Sequence, residues 1–233
     1  MPPLGARLNS VASFVPRGAV VADIGSDHGF LPVRLVATGV CARCVATDSR
    51  EDPLEATRRT VEAYGLTHRI DLRLGNGLEV LFPGETTVVV MAGIGGRTIA
   101  ALLSGGVEVA RSQEMLILQP MTEAAAVRKW AMSNDIAVSG EDIAAEGERL
   151  YQVICLDPRS PWRERVAPDD VRLEIGLTLL RDRHPLVKPL VLRMLSECDS
   201  VMAEMADRIR MDDPRFRRWR DRSLQLEGVL RWL

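Results

Sequence analysis

The chain has 233 residues, is 46% hydrophobic and 27% charged, and carries a formal net charge of −2, with a mean hydropathy close to zero. That suits one globular domain plus an appendage. It excludes a membrane span, because no run of about 18 uncharged apolar residues occurs. "MPPLGARLNSVASFV" lacks the apolar core of a signal peptide and reads as a short amphipathic helix, so a cytoplasmic location is expected.

The first strand signal is "AVVADI", a buried parallel strand leading into "GSDHGFLP". Nucleotide-binding turns after such a strand carry several close glycines. Here Gly25 and Gly29 are present, but Ser26, Asp27 and His28 fill the middle. In an open parallel sheet ligands sit at the carboxyl ends of the strands, and Gly25 lets backbone approach a ligand without a Cβ. A carboxylate at Asp27 would repel a pyrophosphate. It suits a ligand with positive charge, such as the ammonium and sulfonium of S-adenosylmethionine. After the helical "FLPVRLVATG" comes a second strand, "ARCVATD", ending in Asp48, where an acid hydrogen-bonds ribose hydroxyls. Cys41 and Cys44 form one CxxC with no second pair at zinc-site spacing, so buried reduced thiols and no metal are expected.

A helix, "DPLEATRRTVEAYG", leads to the third strand, "IDLRLG", and then to "GNGL", where Asn76 could meet an adenine edge. The fourth strand, "TTVVVMAG", runs into "MAGIGG" at 91–96, with three glycines and no side-chain nucleophile or base. Bare backbone there allows a flat ring to approach closely. The helical "GGRTIAALLSGG" precedes a fifth strand, "EMLILQP", which adds Gln119 to the same rim. After "TEAAAVRKWAMSND", a further helix, "IAVSGEDIAAEG" and "RLYQVICLD" follow each other directly and predict an antiparallel hairpin at the sheet edge.

The strand-helix alternation gives an α/β, Rossmann-like, doubly wound sheet. Five parallel strands closed by an antiparallel pair is the class I methyltransferase layout, whereas the NAD-binding layout has parallel strands there. The G-x-G-x-x-G fingerprint also fails: "GSDHG" has the wrong spacing, and "GIGGRT" has Thr98 in its last place. A boundary is expected near residue 160, in "DPRSPWRERVAPDD", separating residues 1–160 from a helical region at 161–233.

In that region apolar residues recur at Leu186, Leu190, Met194, Cys198, Val201, Met205 and Ile209. A cap at Asp213 with Pro214 at the first helical position opens a second helix. Its seam holds Phe216, Trp219, Leu226, Leu230 and Leu233, with Ser223 in register. The two read as an antiparallel, coiled-coil-like helical hairpin whose seam serves mutual packing. Residues 159–233 hold 16 Arg plus Lys against 13 Asp plus Glu, or +3, and the remainder holds 14 against 19, or −5. A basic appendage on an acidic body points to a polyanionic partner. The stretch 208–222 alone carries seven arginines against three aspartates, with Arg217, Arg218, Arg220 and Arg222 expected on the outer faces.

"ADIGSDHGFLP", "GNGL", "MAGIGG" and "LILQP", in this order, resemble the bacterial TrmK family of tRNA (adenine-N1) methyltransferases, which modify the adenine at tRNA position 22. "EGERLYQVICL" is similar to the family's last strand, and the hairpin to its C-terminal coiled-coil domain, so the resemblance covers nearly the whole chain. It implies S-adenosylmethionine as cofactor and tRNA as partner. It puts Asp23, Gly25, Asp27, His28, Asp48, Asn76 and Gly93 around the cofactor, with Ser26, Gly77 and Ala92 in the same stretches, and Gly95, Gly96, Gln119 and Pro120 on the adenine side. The chain departs from the family at Asp48, commonly Glu, and at Ile94, often Met. Asp27 is the candidate catalytic group, Arg217 and Arg218 are candidate tRNA contacts, and His28 is either functional or a residue that caps the helix or holds Asp27. Two other classes stay open: a methyltransferase of the same fold acting on another RNA, a protein or a small molecule, and a non-catalytic S-adenosylmethionine-binding module.

Overall fold

The computed structural model describes residues 1–206 and 211–233, and the chain divides into two compact units, Met1–Glu164 and Arg165–Leu233. The first unit contains β1 (Ala19–Ile24), β2 (Cys41–Asp48), β3 (Ile70–Leu74), β4 (Val88–Ile94), β5 (Met115–Pro120), β6 (Ala137–Glu146) and β7 (Arg149–Asp157). These form one sheet in the order β3-β2-β1-β4-β5-β7-β6. The first five strands run parallel, and β7 pairs antiparallel with both β5 and β6. This is the expected α/β layout with an antiparallel closing hairpin.

Helices α1 (Ala6–Ser13), α2 (Phe30–Ala37), α3 (Glu51–Ala63), α4 (Gly96–Gly105), α5 (Val107–Ser112) and α6 (Ala124–Ser133) complete the unit. The central strands are continuously apolar because both sheet faces are covered. Successive side chains then serve opposite layers. Val88, Val90 and Ile117 enter the cluster with Val33, Leu35 and Val61. Val89, Met91, Leu116 and Leu118 enter the other, with Ile99, Leu103 and Val127. Each such side chain contributes about 1.5–3 kcal/mol by leaving water.

One ion pair among the described residues has both side chains fully inside. Arg128 of α6 and Glu141 of β6 are both inaccessible to solvent and lie 2.6 Å apart. The guanidinium donates from Nε to Glu141 Oε1 and from Nη2 to Gln152 Oε1, at 2.6 Å each. The pair pins α6 to the β6-β7 hairpin, where the sheet lacks a flanking parallel strand.

The second unit holds two short helices, α7 (Arg172–Ile175) and α8 (Leu177–Arg181), and two long ones, α9 (Val187–Ala206) and α10 (Pro214–Trp232). The N-cap of α10 is Asp213, whose Oδ1 accepts the Arg215 amide at 2.8 Å, and Pro214 follows it as expected. Arg222 on α10 reaches Glu197 in the middle of α9, while Trp232 at the end of α10 lies against Arg183, ahead of α9. The two helices are therefore antiparallel. Leu190, Met194 and Cys198 of one, and Phe216, Ser223 and Leu226 of the other, are buried, following the predicted seam. Residues 207–210, with Ile209, Arg208 and Arg210, lie outside the described residues. One expectation is corrected. Arg222 is not on an outer face: it donates to Glu174 Oε2 at 2.8 Å, contacts Glu197 at 3.3 Å, and lies 5.0 Å over the Trp219 ring. It sits one position short of seam residue Ser223, so its long stem folds inward.

Removing one partner of a buried pair strands the other charge in a medium of low polarity. Arg128→Ala should cost about 3–5 kcal/mol, and Arg128→Met combined with Glu141→Leu should recover most of it. Urea unfolding of the three proteins checks this, and a single variant within about 1 kcal/mol of the parent would contradict it.

Candidate active site

Strand order reverses between β1 and β4, which pair with each other at the centre of the sheet. The crevice at such a reversal is where open parallel sheets bind ligands. A cavity of about 620 Å³ lies there, framed by α1, the turn after β1, and the carboxyl ends of β2, β3 and β4. Asp23, Gly25, Ser26, Asp27 and His28 line it from one side. Asp48, Asn76, Gly77, Ala92 and Gly93 line it from the others.

The turn after β1 is held by one acceptor. The amides of Gly25 and Ser26 both donate to the Thr47 carbonyl of β2, at 2.9 Å each. The chain turns left-handed at Gly25 (φ 77°), Asp27 (φ 56°) and Gly29 (φ 70°). Gly29 has a packing reason as well, since a Cβ there would lie 2.9 Å from Thr57 Cγ2. Thr57 also donates from Oγ1 to the Asp27 carbonyl at 3.1 Å. Asp27 thus occupies a conformation that glycine adopts cheaply and other residues adopt at roughly 1 kcal/mol or more. Its carboxylate is exposed, with Oδ2 3.5 Å from His28 Nε2. The N-cap of α2 is Gly29, so His28 does not cap that helix. Its ring stacks on Phe30 instead, at 5.5 Å and 26°.

Below the mouth the cavity is acidic. Burial pushes the Asp23 carboxyl up to about 6, and the Asp48 charge acts in the same direction. The Ser26 hydroxyl opposes them without completing a hydrogen bond of acceptable geometry. Asp48 Oδ1 accepts the Arg50 amide at 3.1 Å. Ser26 Oγ and Thr47 Oγ1 are the two buried side-chain polar atoms without a hydrogen-bond partner among the described residues, and both residues line this cavity. Buried hydroxyls are rarely left unpaired, so this pair fits a polar ligand.

Four expected substrate-side residues do not line the cavity. Gly96 is buried because a Cβ would lie 2.3 Å from the Glu123 carbonyl oxygen, so this glycine lets α4 pack on the turn before α6. Gly95 is its half-buried N-cap. Gln119 and Pro120 are buried in β5. The Gln119 side chain is fully occupied: Oε1 accepts Gly93 N at 3.0 Å and Arg7 Nη1 at 2.6 Å, and Nε2 donates to Pro120 O at 3.0 Å. Gln119 is therefore a brace for the Gly93 bulge and for Arg7, not part of the rim. "MAGIGG" also does not wholly follow its strand, since β4 continues to Ile94 through a register shift after Ala92.

Sequence reasoning missed Arg7 and Leu8 of α1, and Phe30, Thr98, Leu102 and Met121, all of which line the cavity. An amphipathic N-terminal helix carries no signal that one of its arginines will be clamped at a distant strand end. Arg217 and Arg218 lie in the second unit and are exposed. Cys41 and Cys44 are both buried free thiols, raised by burial, Cys41 to about 11. No group of three or more metal-ligating side chains occurs among the described residues.

Residues 4–154 match a family model described as "Methyltransferase domain". The chain is 38% identical over 174 residues to the tRNA (adenine(22)-N(1))-methyltransferase of Bacillus subtilis, covering 75% of this chain and 72% of that one. Its structure is similar to the crystal structure of the B. subtilis M1A22 tRNA methyltransferase TrmK, with a TM-score of 0.87, 28% identity and coverage of 98% and 99%. It is also similar to Streptococcus pneumoniae Sp1610 in complex with S-adenosyl-L-methionine, with a TM-score of 0.85, 27% identity and coverage of 98% and 100%.

The raised Asp23 pKa has a stability consequence. Its folded value, about 6, lies above the ordinary 3.8. The protonated form is thus favoured by folding, and its stabilisation is full below about pH 4 and lost as pH rises through 6. Asp23→Asn should therefore match the parent near pH 4 and exceed it at pH 7.5, by on the order of 2 kcal/mol. Urea midpoints of the ligand-free proteins at the two pH values measure this; a difference that does not change with pH would contradict the assignment.

Proposed function

The chain belongs to the methyltransferase-domain family and, within it, to the tRNA (adenine(22)-N(1))-methyltransferases, and we propose that it methylates N1 of the adenine at position 22 of tRNA, using S-adenosylmethionine. The observation that carries this reading is the convergence of four strand-end segments on one acidic cavity holding two unpaired buried hydroxyls. Bound S-adenosylmethionine supplies an electrophilic methyl group on a positively charged sulfur.

The residues present fit that cofactor. Asp48, with one oxygen held by the Arg50 amide, offers the other to ribose hydroxyls. Asn76 and Gly77 frame the adenine end. Asp23, Ser26, Thr47 and the Gly93 backbone line the part of the cavity suited to an ammonium and a cationic sulfur. A buried carboxyl near pH 6 is a suitable counter-charge, because an adjacent cation favours its ionised form.

On the substrate side little proton chemistry is needed, since N1 of neutral adenine carries an in-plane lone pair. The demand is electrostatic: positive charge develops on the ring as N1 is alkylated. Asp27 sets a carboxylate at the cavity mouth, where it stabilises that charge and accepts a hydrogen bond from the exocyclic amine. The His28-Phe30 stack beside it offers an aromatic face to a base turned out of its own stack.

Residues 1–160 serve as the methyltransferase domain and 161–233 as a tRNA-contacting helical domain. Arg217 and Arg218 are exposed and form no ion pair among the described residues, so their charge is available to phosphates. Arg215 and Arg220, by contrast, pair with Asp213 and Asp221. No helix of the described residues is long and apolar enough to cross a membrane, and action on tRNA fits a cytoplasmic protein.

Two variants of Asp27 separate charge from conformation. Asp27→Asn keeps the left-handed turn and loses the charge, and turnover on unmodified tRNA should fall about 100-fold, with affinity for S-adenosylhomocysteine changed far less. Asp27→Gly should lose turnover similarly while gaining about 0.5–1 kcal/mol of stability from relief of strain. Labelled methyl transfer and thermal melting read the two effects, and turnover within about threefold of the parent would remove Asp27 from the mechanism. Replacing Arg217 and Arg218 together by Ala should weaken tRNA binding and reduce its salt slope by about one per lost phosphate contact. A parental slope would show that the second unit does not hold RNA through these residues.

A further inference from the structure

The catalytic cavity gathers the carboxyl ends of the strands. A second concavity, of about 490 Å³, lies at the opposite end of β2 and β3. It is framed by Arg43 of β2, by Arg58 and Glu62 of α3, and by residues 67–71 leading into β3. Four of its residues are basic or potentially so, in a unit whose residues 1–158 hold 14 Arg plus Lys against 19 Asp plus Glu.

The charges there are not internally neutralised. Arg58 shares Glu55, with Nε 3.2 Å from Oε2, and Asp71 is taken by Arg73 at 2.8 Å. Arg69 donates from Nε to the Ala42 carbonyl at 2.9 Å and from Nη2 to the Cys41 carbonyl at 3.2 Å. Neutral carbonyls thus fix that guanidinium and leave its charge intact. Arg43 is exposed and forms no ion pair among the described residues; Glu85, the acid that feels its charge, is already paired to Arg73. Two guanidinium groups without an ion pair among the described residues, with the exposed His68 and the Thr67 hydroxyl beside them, share the groove with Glu62 and with Asp71, which Arg73 engages. One guanidinium is held by two carbonyls and the other is exposed, an arrangement that suits a phosphate, which accepts several hydrogen bonds at once.

We propose that this groove is a phosphate-binding station, which grips the RNA backbone of the tRNA whose adenine enters the cavity. The inference rests on the tRNA reading given above. Arg43 lies five residues before Asp48 on β2, so groove and cavity are separated by roughly 17 Å of strand, a span that one folded RNA covers.

The test uses the full chain with unmodified tRNA, comparing Arg43→Ala, Arg43→Glu and, as an off-groove control, Arg59→Ala, which removes the same charge from the exposed face of α3. Arg43→Ala should weaken tRNA binding about fivefold near 0.1 M salt and reduce the slope of log K against log salt by about one. Arg43→Glu should weaken it further. In both, kcat at saturating tRNA and S-adenosylhomocysteine affinity should stay parental, and Arg59→Ala should leave the salt slope unchanged. Parental tRNA affinity and slope in both Arg43 variants, or an equal loss in Arg59→Ala, would overturn the groove assignment while the parent still methylates tRNA. A parent that methylates no tRNA would instead overturn the underlying functional reading, and the groove assignment with it.

Discussion

The catalytic cavity depends on one carbonyl. Thr47 O receives the amides of both Gly25 and Ser26, tying the exit of β1 to the end of β2. That tie forces the chain to reverse within a few residues, and three of the five residues from Gly25 to Gly29 adopt positive φ. The reversal puts the Asp27 carboxylate at the mouth. It leaves Ser26 Oγ and Thr47 Oγ1 buried and unpaired below it, beside a carboxyl raised to about 6 by its burial. A left-handed Asp27, two unpaired hydroxyls and a costly buried acid all sit at one turn.

The second tension is electrostatic. An acidic unit with three aspartates lining its cavity must meet a polyanion, and such acids repel phosphates. The chain resolves this by separation. Asp23, Asp27 and Asp48 line the cavity, while Arg217 and Arg218 on α10 and Arg43 at the far end of the sheet form no ion pair among the described residues. Arg222, by contrast, is paired to Glu174 and Glu197.

Much of this was legible in the sequence because it rests on local rules. Continuous apolar runs, glycines after strands and acids at strand ends pointed to the sheet and to Gly25, Asp27, Asp48 and Asn76, and the family resemblance added Asp23, Ser26, His28, Gly77, Ala92 and Gly93; all ten line the cavity. The misses have a common cause, which is that they depend on contacts between distant segments. Gln119 reads as a polar residue at a strand end, but its partners are Arg7, 112 residues away, and Gly93. Gly96 reads as bare backbone for a ligand, but the Glu123 carbonyl oxygen takes that space. Arg7 lies on a helix without any nucleotide-binding signal. Arg222 reads as an outer-face residue from the seam spacing, but Glu174, Glu197 and the Trp219 ring draw it inward.

The central claim is a transfer to one atom of one nucleotide. Unmodified tRNA carrying adenine at position 22 should be incubated with the full chain and S-adenosylmethionine, cleaved into mapped fragments, and its nucleosides identified by mass spectrometry. The account predicts 1-methyladenosine at position 22 alone, lost when that adenine is replaced by guanine. Methylation at another atom or position, or transfer to a protein or small molecule with the tRNA left unmodified, would contradict it.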